Sequence, residues 1–284
     1  FRSGNVGSEV VRFLSSQHPN IQPVIAHRNP EKAKSQLGAY LGLEYRHFDF
    51  EHPETFGAAL DNIQRIFLVR PPQLADVDTY FQPLFEEMDR QNVREIVFLS
   101  VQGAGANKFI PHTKIENRIR DFSFQYIFLR PGYFMQNLTD EFLQDIQTRR
   151  RIELPAGKAK FNWIDAADIG KVGALCLARF DDQKNCIYEL TGDEHLSFKE
   201  VVDRINPYLK HPIRYKNVSP PSFFISKKRQ KESIARIFVM IALHFLPRFT
   251  KPARLTRTYE NITGNKPNSI EDFVEREIES FESA

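Results

Sequence analysis

Two glycines three residues apart, in Ser3-Gly4-Asn5-Val6-Gly7, stand just before the apolar-periodic stretch Ser8-Glu9-Val10-Val11-Arg12-Phe13-Leu14. That spacing suits a loop that turns into a helix and offers its free N–H groups to a phosphate. A Gly pair at such a junction also serves plain sterics. Gly4, Asn5, Val6 and Gly7 are therefore a candidate cradle for a dinucleotide pyrophosphate, with a ligand-free tight turn as the rival reading. Arg28 follows the β-rich run Pro23-Val24-Ile25-Ala26-His27, where dinucleotide folds read the adenosine ribose. An acid there would accept from a 2′-hydroxyl, whereas a guanidinium suits a 2′-phosphate. No Asp or Glu ends this run, so the expected cofactor is NADP, with NAD as the alternative. A solvated surface arginine is the competing reading. Val69-Arg70-Pro71-Pro72 ends an apolar run, and its prolines keep the chain out of helix, holding a ligand rim open. Arg70 could contact a phosphate or an acidic substrate group, or simply serve a turn.

The elements that must position these residues alternate. Candidate strands are 22–27, 43–49, 65–69, 95–101 and 125–130; candidate helices are 30–37, 53–60, 74–91 and 113–120. Ile66-Phe67-Leu68-Val69 and Ile96-Val97-Phe98-Leu99 are apolar on both faces, as inner parallel strands covered on each side must be. Strand–helix alternation with short connections predicts an α/β fold, a doubly wound parallel sheet. From Ile187 the pattern loosens. Ile187–Leu190 reads as one more strand, Ser197-Phe198-Lys199-Glu200 as a capping box opening a helix to about Leu209, and Ser269-Ile270-Glu271-Asp272 as another box opening the last helix. The expected division is a dinucleotide-binding domain over 1–183 and a smaller, mostly helical portion over 184–284. The sequence opens inside the Gly-rich loop, so the central strand expected ahead of it is missing. Its absence predicts a gap of about 4.7–4.9 Å, one strand spacing, between its two neighbours, with unpaired backbone groups on both sides. Roughly ten preceding residues would close that gap; the alternative is a shortened chain with a damaged cofactor site.

At 284 residues the chain suffices for one large α/β domain, or a domain with an appendage. A net charge of +3 gives no argument for nucleic acid or an acidic membrane as main partner. Cys176 and Cys186 fit no metal spacing and are too few for a disulfide scaffold, so no metal and a reducing, cytoplasmic setting are expected. The longest apolar run, Ile237 to Leu246, is about half of the roughly 20 residues a membrane span needs, and it contains His244. Apolar nearly all round, this helix is expected to be buried, over the active site or against a partner subunit. The basic runs Lys227–Lys231 and Arg149–Arg151 read as solvated helix faces.

The run Leu129-Arg130-Pro131-Gly132-Tyr133-Phe134-Met135-Gln136-Asn137, with His112-Thr113-Lys114-Ile115-Glu116, Trp163-Ile164-Asp165-Ala166-Ala167-Asp168-Ile169-Gly170 and Thr263-Gly264, resembles the NmrA-like family of atypical short-chain dehydrogenases/reductases. The similarity extends over essentially the whole chain. Bacterial members nearest this pattern are NAD(P)H-dependent quinone, azo-dye or triphenylmethane-dye reductases; the fungal namesake is a dinucleotide-binding transcriptional regulator. The resemblance implies that Asp49 and Phe50 flank the adenine, with Asp49 alternatively capping the helix after Pro53. It also implies that Val69, Arg70 and Pro71 lie beside the nicotinamide ribose, that Ser100 joins the cofactor set, and that the helix around 237–246 covers the substrate cleft. Its usual first glycine falls on Phe1.

In the superfamily's Tyr-x-x-x-Lys arrangement, the lysine holds the nicotinamide ribose and lowers the tyrosine pKa. Lys114 matches the lysine, but Ile110 stands at the tyrosine position and donates nothing. His112 and Tyr133 are the substitute proton donors. Without a positioned acid, the expected acceptor is a quinone or conjugated dye, whose reduced form takes its proton from solvent. Tyr133, Phe134 and Trp163 could line an apolar pocket for such a flat molecule, or be ordinary core, the reading favoured for Phe134. The expected activity is hydride transfer from NAD(P)H to a small planar acceptor by a monomer or homodimer; the alternative is a non-catalytic redox sensor acting through a protein partner.

Overall fold

The computed structural model describes residues 5–38, 40 and 42–282. Gly4 of the expected cradle lies outside them. In chain order the elements begin with α1 (Asn5–Gln17), β1 (Val24–His27), α2 (Pro30–Leu37), β2 (Glu44–His47), α3 (Phe56–Leu60), β3 (Arg65–Val69), α4 (Val77–Tyr80), α5 (Gln82–Arg90), β4 (Glu95–Leu99), α6 (Pro111–Asp121) and β5 (Gln125–Pro131). There follow β6 (Tyr133–Phe134), α7 (Leu143–Arg149), β7 (Arg151–Leu154), β8 (Lys160–Ile164), α8 (Ala166–Ala178), α9 (Phe180–Gln183) and β9 (Cys186–Leu190). The chain ends with β10 (His195–Ser197), α10 (Phe198–Ile205), β11 (Arg214–Asn217), α11 (Pro220–Arg229), α12 (Ile234–Phe245), α13 (Thr258–Thr263), α14 (Ile270–Arg276) and α15 (Ile278–Glu282).

These elements form two compact units that interleave in sequence. The first comprises residues 5–131 and 166–190; the second comprises 132–165 and 191–282. The boundary expected at 183/184 therefore differs from the observed one: 132–165 groups with the C-terminal residues, because its short strands pair there.

In the first unit, β3, β4, β5 and β9 form a parallel sheet in that order. Its strands are apolar on both faces because both are covered. Ile96, Phe98 and Phe128 share one buried cluster with Leu84, Phe85 and Met88 of α5 and Ile115 and Ile119 of α6. On the opposite face, α8 lies against Phe67 of β3 and Val10 of α1, both 2.9 Å from where a Cβ at Gly173 would stand. At Gly170 a Cβ would collide with the Cβ and backbone of Glu9. The close helix approach is thus made by α8; around Gly7 no described residue outside its own helix lies within 4 Å of a Cβ position. β1 and β2 pair in parallel as a separate two-stranded sheet.

The second unit joins the mostly helical C-terminal residues to short strands, most of them from 132–165. β8 lies between antiparallel β10 and parallel β6, and β7 pairs with β11. Both predicted capping boxes are present, Ser197 with Glu200 on α10 and Ser269 with Asp272 on α14. The expectation that 237–246 is buried fails. Only Ile237, Met240 and His244 of α12 are buried, while Phe238, Val239, Leu243 and Leu246 are more than half exposed.

Candidate functional site

Parallel pairing of β3, β4 and β5 in register brings Val69, Leu99 and Leu129, and the residues that follow each, to one edge of the first unit's sheet. Ser100 follows β4 and is buried; its hydroxyl donates to Glu116 Oε1 over 2.6 Å. Arg130, one residue beyond Leu129, donates to the same carboxylate twice, Nε to Oε1 at 2.9 Å and Nη2 to Oε2 at 2.6 Å. Glu116 has no exposed surface, so its charge requires this bidentate partner. The pairing holds the Arg130 guanidinium above its ordinary pKa. Gly105, at φ +88°, brings the loop after β4 within 3.0 Å of Arg130 Nη2 at its Cβ position, leaving little room for a side chain. Thr113 Oγ1 accepts the Gly105 N–H at 3.1 Å. One buried carboxylate thus ties the ends of β4 and β5 to the first turns of α6. Sequence reading quoted Glu116 and Arg130 only as parts of motifs. Their signal was a Glu on the same helical face as Thr113 (i, i+3), beside the apolar Ile115 and Ile119.

That tie positions Lys114. Its side chain is exposed and forms no ion pair among the described residues. Ile110, at the tyrosine position, is the residue before the helix and accepts the Thr113 N–H at 3.1 Å through its carbonyl. His112 faces the other way, toward Arg70. Arg70 Nε approaches His112 Nε2 at 3.4 Å, and its Nη1 donates to the carbonyls of Pro71, Pro72 and Leu74 at 2.9–3.0 Å. Arg70 therefore staples its own loop, the turn role, and the phosphate contact is not what its hydrogen bonds display. Burial, and then the charge of Arg70, pushes the His112 pKa down to about 4. As the neutral acceptor of an N–H, His112 is no proton donor near neutrality, which corrects that expectation.

At the end of β1 the picture differs. Arg28 is exposed and has no hydrogen bond or ion pair among the described residues. His27 Nδ1 accepts the Asn29 N–H at 2.8 Å, and Asn29 Oδ1 caps α2 through Lys32 N at 2.9 Å, so the neighbours of Arg28 are fixed while it is not. Asp49 caps a local turn, accepting the Glu51 N–H at 3.0 Å rather than capping the helix after Pro53. Phe50 packs on Phe48 and Phe81, with ring centroids 4.9 and 4.8 Å apart. Asn5 and Val6 open α1, with Val6 buried.

The second unit holds the remaining candidates. Tyr133 Oη is 2.8 Å from His244 Nε2, and His244 Nδ1 is 2.7 Å from the Met240 carbonyl. A carbonyl only accepts, so Nδ1 carries the proton and Nε2 receives the tyrosine O–H. Burial pushes the phenol pKa up and brings His244 down to about 4. Tyr133 also lies edge-on to Trp163, with centroids 4.7 Å apart, and near Phe161 and Phe198. Its hydroxyl is thus a committed donor inside an aromatic cluster, not a poised acid. Trp163 is 2 % exposed and donates Nε1–H to the Leu196 carbonyl, so it is core; Phe134 is half-buried and outside that core. Sequence reading named His244 only as a polar interruption of an apolar run.

Much of the family-like pattern serves packing. Asp165 has no exposed surface and accepts from Gln136 at 2.7 Å, Asn268 at 2.9 Å and both Nη atoms of Arg276 at 2.7 and 3.1 Å. A Cβ at Gly132 would strike the Asn162 carbonyl. Gly264 ends α13 in the left-handed region at φ +70°. A cleft of about 680 Å³ in the second unit, lined by Asp145, Arg149, Glu153 and Arg229 among others, contains none of the expected residues. Among the described residues no His/Cys/Asp/Glu cluster could hold a metal, and no helix is long and apolar enough to cross a membrane.

Comparison with known proteins supplies the family and the fold. The NmrA-like family model matches residues 2–273. Prestalk A differentiation protein A of Dictyostelium discoideum is 27 % identical over 274 residues, covering 96 % of this chain and 89 % of that protein. An NAD(P)H azoreductase of Xenophilus azovorans is 27 % identical over 230 residues, covering 75 % of this chain and 73 % of that one. Among solved structures, an NADPH-dependent quinone oxidoreductase of Escherichia coli complexed with NADPH superposes with a TM-score of 0.84 at 18 % identity, covering 97 % of each chain. With a strand-end rim and packing glycines that account for its pattern, and a family match over nearly all its length, the chain belongs to the NmrA-like family.

Proposed function

We propose that this protein is an NADPH-dependent reductase of small planar acceptors such as quinones or azo compounds. Support for the cofactor comes from the relatives' own names and from residues that suit it. Among the described residues, open space borders α1 at Gly7, an unpaired guanidinium follows β1, and an unpaired ammonium stands on α6. In this reading the first turn of α1 holds the pyrophosphate through its N–H groups. Arg28 holds the 2′-phosphate by charge-assisted hydrogen bonds, and Lys114 donates to the nicotinamide ribose. The bound dinucleotide supplies the hydride.

The observation that carries the acceptor class is that both candidate acids are spoken for. His112 is neutral and accepts from Arg70, and Tyr133 donates to His244. A simple ketone needs a proton placed on oxygen as hydride arrives. A quinone or azo bond delocalises the incoming charge, and water protonates it afterwards. Positioning then supplies most of the rate gain. The test is NADPH oxidation with a panel of quinones, azo dyes and unconjugated ketones. Turnover of the first two groups only is the expected result; ketone turnover at a similar rate would refute the acceptor class.

A second reading, a dinucleotide-binding regulator, is favoured by the Dictyostelium relative, whose name refers to differentiation. NADPH binding with no turnover of any acceptor, and different affinities for NADP⁺ and NADPH, would support it instead.

A further inference from the structure

The chain's near-neutral total hides a sharp partition. Residues 218–258 carry nine of the 39 Lys and Arg but only one of the 36 Asp and Glu, so this stretch has a formal net charge of +8 and the remainder −5. The same stretch holds seven of the ten large hydrophobic side chains exposed among the described residues. Six of these sit on α12 and the turn after it. Ile234, Phe238, Val239 and Leu243 spread over the half of α12 opposite its buried residues, and Leu246 and Phe249 continue it in the following turn, Phe249 at 72 % exposed. The other face is spent on the second unit's own core through Ile237, Met240 and His244. In the same stretch, Lys228, Arg229, Lys231 and Lys251 are exposed and form no ion pair among the described residues, Arg229 lining the cleft beside Asp145 and Glu153. Coincidence of an apolar ridge with unspent positive charge is more than a core that happens to show.

We propose that α12 and the turn Leu246–Phe249 dock this protein on an anionic lipid surface, in the interface and not across it. Charge complementarity selects this occupant. A second copy of the chain would meet the face with the same face, setting one basic rim against another. An acidic protein would satisfy the charge but would need pockets shaped for Phe238 and Phe249, which stand 60 and 72 % exposed; a fluid acyl boundary receives such side chains without preformed shape. α12 is 12 residues long, suited to lying in the headgroup boundary. Each exposed Lys or Arg near such a surface adds about fivefold to the partition at low salt. The proposal does not depend on the cofactor reading.

The experiment is sedimentation of the full chain with vesicles of phosphatidylcholine alone and with about a third phosphatidylserine. Expected is at least about tenfold stronger binding to the anionic vesicles, released by raised salt. Phe238→Ser with Leu243→Ser should abolish binding, and Lys228→Glu with Lys231→Glu should remove the preference for phosphatidylserine. Because all four side chains are exposed, an unchanged thermal midpoint verifies folding of both variants. The wild-type result stands without them. No sedimentation with anionic vesicles at low salt overturns the proposal, as does equal, salt-independent binding to both compositions. A dimer in solution that F238S/L243S makes monomeric, without vesicle binding, assigns the face to a second copy; capture of an acidic protein without vesicle binding assigns it to that partner.

Discussion

The strand-end rim of the first unit and the aromatic cluster of the second deal with polar groups in opposite ways. Around Glu116 a full charge is buried and answered by Arg130, while Lys114 two residues earlier and Arg28 at the end of β1 are left exposed and unpaired. Around Tyr133 the three polar groups of the cluster are neutral and engaged, with the Glu141 charge close enough to act on two of them: hydroxyl to imidazole, imidazole to carbonyl, indole to carbonyl. The contrast teaches which candidates are free to meet a ligand. An ionised side chain without a partner stays hydrated and available, whereas a neutral group in a closed chain of hydrogen bonds has nothing left to give.

Breaking the buried charge should produce the largest effect. Glu116→Leu leaves Arg130 and Ser100 without their shared acceptor and should cost about 3–5 kcal/mol in urea unfolding. Adding Arg130→Met should recover most of it, and failure to recover would show that the tie is not a charge pair. The neutral cluster should announce itself through acid. His244 is neutral when folded but protonates at about its ordinary 6.5 when unfolded, so the unfolded state binds more protons below that pH. Stability contributed by this residue is complete above pH 6.5 and is lost as pH falls toward 4, amounting to about 3 kcal/mol. His244→Gln should flatten that limb of the stability–pH curve; a curve unchanged in shape would place the proton elsewhere.

Two glycines sharpen the contrast further. Gly170→Ala forces α8 away from Glu9 and should cost about 1–3 kcal/mol, while Gly7→Ala meets open space and should cost less than about 1 kcal/mol, read as thermal shifts. Smallest is the exposed cation. Arg28→Gln should weaken NADPH about tenfold and leave NADH unchanged, with no effect on stability. Equal loss for both nucleotides would remove the 2′-phosphate role.

The sheet was legible wherever apolar runs are doubly covered: 65–69 and 95–99 are bounded in the structure within two residues of their reading. Both capping boxes were legible because their chemistry is local. The strands of the second unit were not, since two- to five-residue strands such as Tyr133–Phe134 carry too little alternation to register. Glu116 and Arg130 escaped as a pair because ion pairs 14 residues apart leave no periodic trace. α12 was misread for a sharper reason. Apolarity on every side ordinarily implies burial, and nothing local distinguishes a helix that keeps one greasy face outward. Of the site, the cations at the rim could be found from type and place, but their freedom from partners could not.

The interleaved order of the two units bears on how the protein is made. The chain crosses between them after residues 131, 165 and 190, so neither corresponds to one uninterrupted piece. During synthesis α1 must await α8, more than 150 residues behind it, before Glu9 finds Gly170. β8 emerges well before β10 and waits for its antiparallel neighbour. Until the ribosome has passed residue 197, nascent β8 presents an unpaired edge, and β7 waits longer still, for β11, so both are stretches for a chaperone to guard.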